Sequence, residues 1–235
     1  MNRVLSFGVV LLAFATLIAE PAQASVFVGS SGSLSAMAEF DIVQGNLQIT
    51  LTNTSTADVL VPTDVLTALF WDPNADLTPL SAVLAVGSTV WFGLDGGGNV
   101  GGEWAYASGL SGAPGSAGLG VSSTGLGLFH DGNFNGGDLQ GPPNGALDGL
   151  QYGITSAGDV KTTGNKPVTG EQALIKNSVI FTLAAPNGYD LSKITNVHFQ
   201  YGTCLGETSL DASSNIPEPT TLIIWSLLGA EAGWG

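Results

Sequence analysis

Residues 34–52, LSAMAEFDIVQGNLQITLT, decide the fold class of this chain. Apolar and polar residues alternate along both halves of the stretch, and Gln44-Gly45-Asn46 between the halves is a turn signal. Alternation with a period of two places the apolar side chains on one face of a strand. The stretch is therefore predicted to form a β-hairpin with one buried face. That face would consist of Leu34, Ala36, Ala38, Phe40, Ile42, Leu47, Ile49 and Leu51.

Further strands are predicted wherever β-branched or aromatic residues cluster between Gly, Pro, Asn or Asp. The segments are 65–71, 89–93, 121–129, 149–155, 173–183 and 196–201. Only Asp76–Val86 resembles an amphipathic helix, and weakly. Many short strands separated by turns predict an all-β fold, an antiparallel β-sandwich that is jelly-roll-like or immunoglobulin-like. We expect a single domain over residues 25–208.

A glycine-rich insertion interrupts this pattern between residues 94 and 153, where about a third of the residues are glycine. The insertion still carries large apolar side chains, including Trp104, Leu126 and Phe129. Glycine loses more backbone entropy on ordering than any other residue, so we expect these glycines at tight turns and close approaches between strands and loops. A partly disordered, low-complexity insertion is the alternative.

The charge balance excludes one class of partner. The chain has 19 acidic residues against 5 Lys and Arg, a formal net charge of −14. No Lys or Arg lies between Arg3 and Lys161. A polyphosphate would meet repulsion over most of such a surface, so we expect no nucleic-acid partner.

The amino terminus has the three parts of a secretory signal peptide. Arg3 provides a positive charge, residues 4–18 are apolar, and Ala22-Gln23-Ala24 has the small-x-small pattern of a cleavage site. The apolar run is shorter than the roughly 20 residues that a membrane-spanning helix needs. We therefore predict that residues 1–24 are a signal peptide and that signal peptidase cuts between Ala24 and Ser25.

The carboxyl terminus carries a second targeting pattern. A polar linker is predicted over residues 209–216; Pro217-Glu218-Pro219 follows it, and then the apolar segment Leu222–Gly229. Together with a signal peptide, this ending resembles the sorting tail of PEP-CTERM proteins, bacterial surface proteins that exosortases process. The family's tail combines a Pro-Glu-Pro motif, a transmembrane helix and a short Arg-rich end.

Residues 217–235 match that tail incompletely. The motif is present and the apolar segment is present in part, but Glu231 interrupts it and no Lys or Arg follows. The resemblance implies an exported protein of the cell surface or extracellular matrix, associated with biofilm or exopolysaccharide. It also implies transient membrane anchoring by the apolar segment and processing by an exosortase-type enzyme at Pro217, Glu218 and Pro219.

No recognisable catalytic motif is present. The chain lacks a Gly-x-Ser-x-Gly elbow, His-Glu-x-x-His and Cys-x-x-Cys, and its histidines are His130 and His198. Cys204 is the single cysteine, so no intramolecular disulfide can form. Because Cys204 follows His198-Phe199-Gln200-Tyr201, we expect it to be a small buried residue in or beside a strand. We expect a protein that is not an enzyme.

One segment resembles a cation-binding loop. In residues 131–138, DGNFNGGD, oxygen-bearing side chains alternate and a glycine follows, as in the first half of a calcium loop. An EF-hand would need a bidentate Glu where this chain has Pro142. A glycine-rich turn that uses Asn and Asp for their backbone tolerance is the alternative. The candidate calcium ligands are Asp131, Asn133, Asn135 and Asp138; no other cofactor is expected.

Two aromatic residues are candidates for ligand binding. Trp104 and Tyr106 lie two residues apart in a glycine-rich setting, where exposed rings could stack on a sugar, although burial of both on one face is the stronger expectation. We therefore expect a non-enzymatic surface or matrix protein, with extracellular polysaccharide as a candidate partner. The alternatives are a calcium-dependent carbohydrate-binding module and a secreted hydrolase.

Overall fold

The structure is a computed structural model, and it describes residues 24–72, 74–129, 139–141 and 149–214. Within these ranges the regular structure is strands and short 3-10 turns, which confirms the predicted all-β fold. No helix in the described ranges is long and apolar enough to cross a membrane. The strands are β1 (Ser25–Ser31), β2 (Leu34–Val43), β3 (Asn46–Asn53), β4 (Leu66–Trp71), β5 (Thr78–Leu84), β6 (Thr89–Trp91), β7 (Ala105–Ser108), β8 (Leu119–Ser122), β9 (Gly153–Thr155), β10 (Leu174–Lys176), β11 (Ser178–Ala184), β12 (His198–Tyr201), β13 (Ser209–Asp211) and β14 (Ser213–Ser214).

The strands form two sheets in a sandwich-like arrangement. The first sheet has the order β14-β1-β2-β3-β11-β5, and the second has the order β13-β12-β4-β9-β10-β6. In the second sheet β8 also pairs with β4, and β7 pairs with β8. Among the described strands, all pairs are antiparallel except β9 with β10. The predicted antiparallel sandwich is thus confirmed, with one parallel pair.

The hairpin predicted over residues 34–52 is formed by β2 and β3, which pair from Ala36 with Asn53 to Val43 with Asn46. Phe40, Ile49 and Leu51 are fully buried in the core between the sheets. Leu34 and Ile42, near the two ends of β2, are half-buried and pack against this core. The period-two pattern therefore identified the buried face correctly.

Large aromatic rings join the two sheets across the core. The Phe40 ring on β2 packs edge-on against Trp71 on β4, with 5.9 Å between ring centroids. Trp104 packs in the same way against Phe181 on β11, at 4.9 Å. Edge-to-face aromatic pairs stabilise by about 0.5–1.5 kcal/mol beyond their buried area. These contacts fix the position of one sheet over the other.

The weak helix prediction over Asp76–Val86 is wrong, because residues 78–84 form β5 at the edge of the first sheet. Proline lacks the N–H that an interior strand needs, and Pro79 is compatible with a strand only because β5 pairs on one side with β11. The predicted strand 121–129 is also partly wrong: β8 ends at Ser122 and turns follow.

The predicted strand 173–183 is two strands. Asn177 lies between β10 and β11 with φ of 87°, a left-handed conformation that a regular strand does not contain. The break sends β10 to the second sheet and β11 to the first sheet. β1 and β7 were not predicted from the sequence.

The glycine-rich insertion covers the outer face of the second sheet as far as it is described. A second apolar cluster lies there, in which Phe70 of β4 packs against Phe129, with 6.0 Å between ring centroids. β4 is therefore buried on both faces. A Cβ atom on Gly120 would lie 2.7 Å from the Phe70 ring and 3.1 Å from the Phe129 ring. This close approach is the role predicted for glycine in the insertion.

The polar linker predicted over residues 209–216 is wrong as far as Ser214, where its description ends. Residues 209–211 form β13 beside β12, and residues 213–214 form β14 beside β1. Leu210 is buried, so this short segment contributes to the core although its neighbours are polar. The folded domain accordingly extends beyond residue 208.

Replacing Gly120 with alanine should destabilise the domain. The added methyl group would overlap the Phe70 ring, and overpacking of this kind costs about 1–3 kcal/mol. We expect the midpoint of urea unfolding to fall while its slope is unchanged. Gly206→Ala is the control, because its Cβ would meet no atom within 4 Å. Equal midpoints for the two variants would show that the outer layer does not pack on β4 as described.

Candidate functional site

The predicted amino-terminal cleavage site lies at the start of the first described strand. β1 begins at Ser25, the residue that signal peptidase would leave as the new amino terminus. Ala24 is described and half-buried, whereas Ala22 lies outside the described residues. Ser25 is held in place, because its hydroxyl donates to the Leu191 carbonyl at 3.2 Å.

The two ends of the described chain are neighbours. β14 pairs with β1, with Phe27 opposite Ser214 and Val28 opposite Ser213. Between β13 and β14 the Ala212 N–H still donates to Val197 O at 2.9 Å, so the chain crosses from the second sheet to the first within one residue. Pro217, Glu218 and Pro219 lie outside the described residues.

A cavity of about 450 Å³ lies beside these paired ends. Its lining includes Phe27 of β1 and, from the chain between β11 and β12, Leu191 and Ile194. Phe27 and Ile194 are buried, so the cavity reaches the margin of the main core. Among the positions with a predicted processing role, Ala24 and Ser25 line this cavity.

The ligand-stacking alternative for Trp104 and Tyr106 is wrong, because both rings belong to the core. Trp104 is fully buried against Phe181, and Tyr106 is buried near Trp71. Burial raises the pKa of the Tyr106 hydroxyl to about 12. The glycines around these rings let loops approach closely, which buries the rings instead of exposing them.

The candidate calcium ligands Asp131, Asn133, Asn135 and Asp138 lie outside the described residues, so the calcium loop stays a prediction. Within the described ranges no group of three or more His, Cys, Asp or Glu side chains is placed to hold a metal ion.

His198 joins two elements of the fold. Its Nε2 lies 2.7 Å from Asn196 Oδ1, and its Nδ1 lies 2.9 Å from Asp211 Oδ1 without the alignment of a hydrogen bond. The Asn196 amide donates to Asp72 Oδ1 and to Gly115 O, each at 3.0 Å. This arrangement turns the amide oxygen toward His198, so Nε2 donates. The contacts tie the turn at Gly115 to β12.

The expectation that Cys204 is buried is wrong, because its side chain is exposed. The residue lies in the turn after β12, where the Cys204 carbonyl accepts from Gln200 Nε2 at 3.2 Å and its N–H donates to Glu207 at 2.9 Å. The hydrogen bonds of this turn involve the backbone of Cys204 and not its side chain, so the thiol remains exposed to solvent.

A thiol-specific maleimide should therefore label Cys204 in the folded protein. We expect complete labelling without denaturant, at a rate within about threefold of that of the unfolded chain. Mass spectrometry of the intact protein measures the adduct. Labelling that requires urea would contradict the exposed position of the thiol.

A pair of aspartates joins two loops near one end of the sandwich. The Asp159 carboxyl accepts from the Val59 N–H, and the Asp58 carboxylate accepts from the Val160 N–H, each at 2.9 Å. Each aspartate thus accepts from the residue that follows the other one. The Thr163 hydroxyl also donates to Asp58. We call this arrangement the aspartate clasp.

The two carboxyl groups of the aspartate clasp have opposite pKa shifts. Burial, and then the hydrogen bond with Asp58, raise the pKa of Asp159 to about 6. The hydrogen bonds that Asp58 accepts from Asp159, Thr163 and the Val160 N–H lower its pKa to about 2. The protonated Asp159 therefore donates to the ionised Asp58, and a neutral pH removes the proton that the two groups share.

No pattern in the amino-acid sequence predicts the aspartate clasp. Asp58 and Asp159 lie in separate loops, and each is followed by valine, but a dipeptide that short carries no signal of its own. The pair is brought together only by the folding of both loops against β10, where Lys176 donates to the Asp159 carbonyl at 3.3 Å.

Replacing Asp159 with asparagine should flatten the pH dependence of stability. The folded-state pKa of Asp159 is raised, so its stabilising contribution is complete below about pH 3.8 and is lost as the pH rises through about 6. The loss is at most about 3 kcal/mol. Asparagine can donate the same hydrogen bond at every pH. We expect the unfolding free energy of the wild type to fall more between pH 4 and pH 7 than that of Asp159→Asn.

Asp190→Asn is the matched control for that comparison. Hydrogen bonds from Ser192 lower the pKa of Asp190, so its contribution changes only below about pH 3.8. Urea unfolding at several pH values measures all three proteins. Parallel curves for the wild type and Asp159→Asn would contradict the shared proton.

Comparisons with protein-family models, with curated proteins and with solved structures found no match to this chain.

Proposed function

We propose that this chain is a non-enzymatic exported protein of the bacterial surface or extracellular matrix, and a substrate of an exosortase-type sorting system. The sequence supports this with a signal-peptide pattern at residues 1–24 and a Pro-Glu-Pro motif at residues 217–219 that precedes an apolar segment. The proposal includes release by signal peptidase and transient anchoring by the carboxyl-terminal segment.

One structural observation carries the proposal. The first described strand begins at Ser25 and the last one ends at Ser214, so no described strand includes a residue of either targeting segment. A signal peptidase that removes residues 1–24 would leave every described strand in the chain. A second protease that cuts near Pro217 would do the same.

The surface chemistry also suits an extracellular structural role. The chain has an acidic excess that gives a formal net charge of −14, and such a charge keeps a protein soluble among other macromolecules. The large aromatic rings Trp71 and Trp104 are buried in the core rather than displayed on a surface. The described residues thus favour a packed module over a sugar-stacking platform.

Mass spectrometry of the protein isolated from its native host tests the proposal. We expect an amino terminus at Ser25 and loss of the carboxyl-terminal residues from near Pro217 onward. A chain that begins at Ser25 but still ends at residue 235 would overturn the sorting part of the proposal. An amino terminus at Met1 would overturn export.

Substitution of the motif provides the matched comparison. Glu218→Ala should leave the carboxyl-terminal segment uncut, because the acidic residue of the Pro-Glu-Pro motif is lost. Glu171→Ala removes an acidic residue from the folded domain, where the Glu171 carboxylate pairs with the exposed Lys166 at 3.0 Å, and should be processed like the wild type. Equal processing of both variants would contradict recognition of the motif.

A further inference from the structure

The segment between Gly158 and Gly164 has almost no apolar packing. Among residues 159–163 only Asp159 is buried, and the side chain of Val160 is exposed. The segment belongs to no strand or helix. Segments with few buried apolar side chains open at a lower cost in free energy than the core of a protein. This segment is therefore held to the domain by polar contacts.

The aspartate clasp provides three of these contacts. The Asp159 carboxyl accepts from the Val59 N–H of the domain at 2.9 Å. The Val160 N–H donates to the Asp58 carboxylate at 2.9 Å, and the Thr163 hydroxyl donates to the same carboxylate. All three hydrogen bonds run through the two carboxyl groups, so a change in the charge of either group affects them together.

The chain on either side of the segment is attached in a different way. Before it, the Ser156 hydroxyl donates to the Ala57 carbonyl at 2.8 Å. After it, the Asn165 N–H donates to the Leu60 carbonyl at 2.8 Å. Gly164 beside this second contact has φ of 98°, a left-handed conformation that favours glycine. Neither contact contains a titratable group, so both ends of the segment stay attached at every pH.

The charged groups around Asp159 make the clasp sensitive to pH. Asp58 faces Asp159 from the neighbouring loop, and Lys176 of β10 donates to the Asp159 carbonyl at 3.3 Å. The segment's own Lys161 is exposed. Burial, and then the hydrogen bond with Asp58, raise the pKa of Asp159 to about 6. Above that pH two carboxylates face each other, and one of them is buried.

We propose that residues 159–163 are a flap that the aspartate clasp holds shut in acidic surroundings and releases at neutral pH. In the open flap Asp159 leaves its buried position, so that water solvates both carboxylates. The flap turns about Gly158 and Gly164, because glycine permits backbone rotations that other residues resist.

Opening of the flap uncovers groups that the closed flap contacts. Val59 loses its hydrogen bond to Asp159, and its side chain belongs to a small apolar cluster that includes Val65. Lys176 loses its contact with the Asp159 carbonyl; its ammonium group also lies 5.3 Å from the centroid of the Trp91 ring. A lysine and the margin of an apolar cluster thus become accessible at neutral pH and are covered in acid.

Hydrogen exchange of the purified full chain in detergent tests the proposal. Mass spectrometry with fragmentation to single amides gives protection factors for the Val59 and Val160 N–H groups, corrected for the pH dependence of intrinsic exchange. Their protection should fall about tenfold between pH 5 and pH 7.5, because the pKa of Asp159 is about 6 in the closed flap and returns toward 3.8 in the open one. Low urea concentrations should leave this exchange unchanged, because opening exposes little surface.

The amides of β3 are the reference in the same measurement. β3 is paired on both sides, with β2 and β11, so its amides should exchange through unfolding of the domain and become faster with urea. If the Val59 and Val160 amides have the same protection and the same urea dependence as β3 at pH 7.5, no flap opens and the proposal is overturned. Equal protection at pH 5 and pH 7.5 would overturn the control by pH. This measurement needs no substitution.

Two substitutions assign the effect to the clasp. Asp159→Asn should keep the flap shut at pH 7.5, with protection within about threefold of the wild type at pH 5, because the amide can donate to Asp58 at every pH. Asp64→Asn is the matched control: Asp64 lies in the loop of Asp58, but its carboxylate accepts from the Leu60 N–H at 3.4 Å. This control should keep the fall in protection of the wild type. A fall of the same size in Asp159→Asn would show that the clasp does not operate the flap.

Discussion

The burial of β4 on both faces is the constraint on which the rest of the structure depends. Leu69 and Trp71 face the core between the sheets, while Ala68 and Phe70 face the outer cluster. A strand at the centre of a sheet with apolar residues on both faces needs cover on both sides. The first sheet covers one face, and the chain from β7 to Phe129 covers the other.

This second layer explains the composition of the middle of the chain. Gly120 packs so closely against the Phe70 ring that no larger side chain fits there. Gly109 and Gly112 lie in turns with positive φ, a conformation that favours glycine. The buried Thr67 hydroxyl on β4 donates to the Gly202 carbonyl at 2.6 Å. With a single, exposed cysteine, the domain has packing and hydrogen bonds in place of disulfides.

Local patterns predicted local structure well. The alternation in residues 34–52 identified β2, β3 and their buried face, and the apolar run from residue 65 identified β4. The prediction failed at β5, where the spacing of Leu77, Leu80 and Leu84 resembles a helical period. Pairing with β11, which is distant in sequence, determines the strand there.

The candidate sites depended on contacts that no local pattern encodes. The predicted cleavage position coincides with the start of β1 at Ser25, and the cleavage itself stays a prediction. The pairing of β1 with β14 was not predictable, since it joins residues from opposite ends of the domain. Cys204 follows an apolar strand, but its position in a turn after Tyr201 decided its exposure. The aspartate clasp likewise required both loops to be in place.

Because β1 pairs with β14, the first and the last described strands of the domain lie side by side. A short connection could join Ser214 to Ser25, because the two strands already lie side by side. New termini could then open at an exposed turn such as the one at Val86 and Gly87, which lies between β5 and β6. In such a circular permutant every described strand would keep its neighbours in the two sheets.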